Sequence, residues 1–118
     1  ENYCTVIVPD HTAFEIYKFN DYDIFFAYPF RREYMVRNHI LRGKIILERG
    51  LTYETLGGLR FTVTNMGGIL FGGKEQPIHK WDPRGFDSSS GHLYVVPLIL
   101  GDYNLYWKGY QNINLFNQ

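Results

Sequence analysis

The chain has 118 residues, 45% of them hydrophobic, which is enough to bury one core without disulfide staples and too apolar for a disordered segment. Twelve basic residues balance twelve acidic ones, so no net charge draws the molecule toward nucleic acid or an anionic surface. A single cysteine, Cys4, excludes an intrachain disulfide, and no apolar run approaches the ~20 residues of a membrane-spanning helix.

Aromatic residues make up 18% of the chain, with ten Tyr and nine Phe, and aromatics favour strands. Residues 2–8 (NYCTVIV) read as a first strand, closed by Pro9 and Asp10. Residues 13–19 (AFEIYKF) alternate, which predicts a second strand. Residues 23–28 (DIFFAY) form a short apolar run, the pattern of a buried strand. Residues 30–42 place Phe30, Tyr34, Arg37 and Leu41 on one helical face, with Gly43 as the C-terminal cap.

Residues 44–48 (KIILE) read as another strand. Residues 59–64 put Leu59, Phe61 and Val63 on one face and Arg60, Thr62 and Thr64 on the other. Asn65-Met66-Gly67-Gly68 then makes a hairpin turn into a return strand at 69–71. Residues 72–91, rich in Gly, Pro, Asp and Ser, read as a long loop. Residues 92–100 (HLYVVPLIL) are the most apolar run. Pro97 inside it predicts an edge strand or a bulge, because proline lacks the ladder donor. Residues 103–110 are expected to return as its hairpin partner, and 112–116 as a last strand. The sum is seven to nine strands. The expected fold is mainly β: an antiparallel β-sandwich or small β-barrel with one short α-helix, as a single domain over 1–118.

Three segments carry candidate function. The first is the 72–92 loop. Trp81 offers an aromatic face for stacking on sugar C–H or peptide groups, and Asp82, Arg84 and Asp87 with His79 and His92 supply directional hydrogen bonds around it. That set points to a non-enzymatic domain binding a glycan or a protein partner. The rival from the same loop is a small hydrolase or lyase, with His79 or His92 paired to Asp82 or Asp87 for acid–base work. The histidines and aspartates match no compact metal-ligand spacing, and no cofactor motif is present.

The second segment is basic. Arg31, Arg32, Arg37 and Arg42, within 31–49 and interleaved with aromatics, are the residues a nucleic-acid binder would use. The plainer reading is a solvated helix face balanced by the acidic residues of 10–30. The third is the aromatic cluster Tyr94, Tyr103, Tyr106, Trp107 and Tyr110, which suits a homo-oligomer interface. The lack of a cysteine pair, a sequon and a visible signal peptide makes a cytoplasmic location the expectation.

Overall fold

A computed structural model describes residues 2–17, 29–76, 81–101 and 106. The expected strand at 23–28 and the expected last strand at 112–116 fall outside them.

The protein is mostly β, with two four-stranded sheets. The first sheet combines β1 (Cys4–Pro9), β2 (Ile40–Arg42), β7 (Phe86–Ser88) and β8 (Gly91–Val96) in the order β2-β1-β8-β7. The second is a sequential meander of β3 (Thr52–Glu54), β4 (Arg60–Val63), β5 (Ile69–Phe71) and β6 (Lys74–Gln76). Every pairing is antiparallel except β1 with β8, which run parallel in register from Cys4 opposite Gly91 to Pro9 opposite Val96.

One core joins the sheets. Ile7, Leu41, Tyr94 and Val96 come from the first, and Phe61, Val63 and Ile69 from the second. The alternation read at 59–64 is the alternation observed: Phe61 and Val63 are buried and Arg60 is exposed. A smaller cluster gathers Ala13, Met35, Ile99 and Tyr106.

Several elements differ from expectation. Residues 11–17 form a helix, α1 (His11–Tyr17), and not a strand. The Asp10 carboxylate accepts the Ala13 N–H at 3.0 Å, and His11 pairs with Glu15 one turn on at 2.8 Å. An N-cap and an i,i+4 pair favour the helical turn over the alternation. The second helix, α2 (Pro29–Arg37), stops well short of Gly43. It buries Arg31 and Met35, leaving Phe30 exposed, so the face read from sequence is not the one that packs. The helix ends because the His39 ring occupies the Met35 carbonyl at 2.7 Å, and Ile40–Arg42 then pair with β1.

Residues 44–48 join no ladder. Their N–H groups go to side-chain hydroxyls instead: Ile45 to Thr5 at 2.7 Å, Leu47 to Tyr94 at 2.9 Å and Glu48 to Tyr53 at 2.8 Å. The 72–91 loop is shorter than expected, because β6 folds back on β5 and β7 pairs with β8 across Ser89-Ser90. Pro97 lies just past the end of β8, which is an interior strand and not an edge. Within the expected return strand, Tyr106 is helical and fully buried; the rest of 103–110 is outside the described residues.

Candidate functional site

The site begins with a row of three rings. Tyr94, on the inward face of β8, is fully buried. Two residues earlier the strand period places His92 on the same face, and its ring lies 4.8 Å from that of Tyr94. Trp81 packs from the other side at 6.0 Å and a 56° tilt. Its indole N–H donates to the Gly67 carbonyl in the β4–β5 turn at 3.3 Å. Trp81 is thus fixed at both ends yet only half-buried.

The phenol of Tyr94 holds the neighbouring segment. It accepts the Leu47 N–H at 2.9 Å and donates to the Ile45 carbonyl at 3.3 Å. Burial pushes this phenol above its ordinary pKa, so it stays a donor. Tyr94→Phe is expected to destabilise the fold by about 1–3 kcal/mol, because the Leu47 N–H loses its acceptor in a buried place. Calorimetry would read this as a melting temperature lower by roughly 3–12 °C. An unchanged melting temperature would show that water replaces the hydroxyl at no cost.

The candidate residues of the loop are brought together, but largely onto one another. Asp82 caps its own turn, accepting the Arg84 N–H at 2.9 Å and the Arg84 Nε–H at 3.4 Å. The Arg84 backbone N–H is the main reason its carboxyl sits below the usual range. Asp87 lies on β7 and pairs with Lys44 at 2.7 Å, and through the same oxygen with His92 Nδ1 at 3.3 Å. Lys44 is the chief cause, and His92 the second, of the lowered Asp87 pKa. His79 lies outside the described residues.

Of the expected histidine–aspartate pairs, the structure brings together His92 and Asp87. The His92 side chain is 4% exposed. Both ring nitrogens face acceptors, the Arg84 carbonyl at 2.6 Å and Asp87 at 3.3 Å. Gly85 lies directly against the ring. With φ at +65°, a Cβ there would lie 2.7 Å from His92 Nε2 and 2.6 Å from the Leu93 carbonyl oxygen, so only glycine fits.

Beside Trp81 opens a cavity of about 280 Å³, lined in part by Leu47, Arg49, Met66, Gly67, Trp81 and Pro83. Arg49 donates from Nη1 to the Asn65 carbonyl at 3.1 Å, which holds its guanidinium across the hairpin turn. Met66 stands at the rim, 88% exposed. Sequence reasoning did not single out Arg49, Met66 or Tyr94 for this place. Arg49 was one charge in a basic run, and its nearness to Trp81 follows from how the second sheet folds.

Of the four candidate arginines of the basic segment, one is buried and three are exposed. Arg31 is 4% exposed on the inward side of α2, whereas Arg32, Arg37 and Arg42 are exposed. Arg37 reaches the Leu56 carbonyl at 3.4 Å, and Arg42 lies opposite Cys4 on β2. Tyr94 and Tyr106, expected as part of an aromatic interface, are both buried inside the chain. Among the described residues no group of three or more His, Cys, Asp or Glu converges as a metal site would require, and no helix is long and apolar enough to cross a membrane. No protein-family model matches the sequence and none of the curated proteins is similar to it, so the residues themselves carry what can be said of function.

Proposed function

We propose that the chain is a non-enzymatic binding domain that takes a group from a protein or glycan partner into the cavity beside Trp81. The observation that carries this reading is the state of Trp81. Its indole is anchored by Tyr94 and by the Gly67 carbonyl while part of it still lines an open cavity. A fixed aromatic offers contact area at little cost in side-chain entropy, as binding surfaces require. At about 280 Å³ the cavity lies just below the roughly 300–1,000 Å³ of pockets that enclose a whole small molecule. Its size suits one side chain or one sugar ring. The locked ring of His92 gives less support to acid–base catalysis, and the inward Arg31 gives less support to a nucleic-acid surface.

Tryptophan fluorescence tests the proposal. Short peptides and oligosaccharides are titrated against the wild type, Trp81→Phe and Trp107→Phe. A saturable shift that survives in Trp107→Phe and vanishes in Trp81→Phe is the expected result. Binding by oligonucleotides alone, with a steep loss at higher salt, would replace this reading with an electrostatic one.

A further inference from the structure

We infer that the partner is an acidic protein segment, which sets an apolar side chain against Trp81 and an adjacent carboxylate on Arg49. This rests on the cavity being a binding site, as proposed above.

The first support is Arg49, the charged residue in the cavity lining, and the way the neighbouring loop carboxylates are already used. Asp82 is engaged by Arg84, and Asp87 by Lys44 and His92. Among the described residues no carboxylate forms an ion pair with Arg49. Its guanidinium has five N–H donors, of which the Asn65 carbonyl takes one at 3.1 Å. That single bond orients the planar fork of an exposed side chain. A fork already held in place loses little freedom when a carboxylate docks on it.

The second support is the wall itself. Leu47 and Val63 are themselves buried and most of the accessible lining is polar, so its apolar part falls to the Trp81 ring, Pro83 and Met66, an unbranched, adaptable thioether at the rim. A small apolar group has the Trp81 ring to lie against, in the same cavity as the cation. A neutral sugar finds less here. Sugar recognition relies on carboxylates free to accept hydroxyl protons, and the two carboxylates of this loop already serve partners within the protein. Carboxylate beside apolar side chain is therefore the chemistry that this cavity complements.

The test follows the Trp81 indole N–H signal by NMR in the full chain, with Trp107→Phe used for assignment. The probes are short capped peptides of leucine and glutamate, the same peptides with glutamine for glutamate, and neutral oligosaccharides. The glutamate peptides are expected to move the Trp81 signal saturably, and the glutamine peptides to bind about five- to tenfold more weakly. Arg49→Gln removes that preference and Arg49→Lys retains part of it, while both keep a folded spectrum. Equal affinity for the glutamate and glutamine peptides overturns the acidic-partner inference and leaves the cavity standing as a peptide site. Movement by oligosaccharides alone overturns it in favour of a glycan. A signal that no probe moves overturns the binding reading and this inference together.

Discussion

Gly91→Ala will cost the fold about 3 kcal/mol or more, with a fall in melting temperature of roughly 10–15 °C. Gly91 begins β8 and lies in register with Cys4 of β1 on one side and Ser88 of β7 on the other. A Cβ built on it collides with the Cys4 carbonyl oxygen and comes within 3.1 and 3.3 Å of the Cys4 carbonyl carbon and nitrogen. All three atoms are backbone, so no rotamer change relieves the contact. Either β1 and β8 separate at this end or the register opens, and both outcomes expose Thr5, Ile7 and Tyr94, which are fully buried. Ser89→Ala in the adjoining exposed turn serves as the control and should stay within about 0.5 kcal/mol. Urea denaturation of the two variants side by side decides the matter. Equal midpoints would mean that the strands stand further apart than described.

The second large effect is a dependence on pH set by His39, which is 4% exposed. Its Nδ1 meets the Met35 carbonyl at 2.7 Å, so Nδ1 carries the proton, and Nε2 accepts the Leu100 N–H at 2.8 Å. The His39 carbonyl in turn accepts the Ile7 N–H at 2.8 Å. The neutral imidazole thus ties the end of α2 to the segment after β8, while the backbone of His39 holds β1. On the far side of the same residue, the Tyr106 hydroxyl donates to the Leu100 carbonyl. Burial is the main cause that lowers the His39 pKa below 6.5, opposed by the Met35 carbonyl.

The sign follows directly. Below 6.5 the unfolded chain takes up a proton that the folded chain refuses, so stability falls as pH falls. Above that value the contribution is complete and constant. The expected slope approaches about 1.4 kcal/mol per pH unit, the value for one proton, until the folded state is itself protonated. Protonation there would turn the acceptor of the Leu100 N–H into a second donor. Asp82 and Asp87 act in a separate window. Their depressed carboxyls stabilise above 3.8 and lose that effect only as pH falls below it. Urea midpoints between pH 5 and 8 would show the His39 slope, and His39→Gln should flatten it while lowering stability throughout. A slope that persists in the variant would assign the proton to another group.

The parts of the fold that were legible in the sequence are those made by neighbours in the chain. The β4–β5 hairpin could be read because its alternation and its Asn65–Gly68 turn lie in one contiguous stretch. α1 carried a readable signal in Asp10, but a seven-residue helix is too short for its period to outweigh an accidental alternation. Residues 44–48 carried a strand signal that the fold does not use. What keeps them out of a ladder is the hydroxyls of Thr5, Tyr53 and Tyr94, two of them far away in sequence. The candidate site divides in the same way. Trp81 was conspicuous by its polar setting. Its link to Tyr94, the pairing of Lys44 with Asp87 and the approach of Arg49 are set by tertiary folding, which local pattern does not encode.

The parallel pairing of β1 with β8 has a consequence for how the molecule is made. The second sheet is a meander within residues 52–76, so its contacts are local and can form as soon as that stretch is available. The first sheet has to close a loop that spans almost all the described chain, and β1 has no β8 to pair with until residue 96 has emerged. Loop closure of this kind costs entropy before any contact repays it and is a familiar source of slow folding. During synthesis the β-branched β1 therefore waits with one edge unpaired until β8, the last strand among the described residues, arrives to cover it.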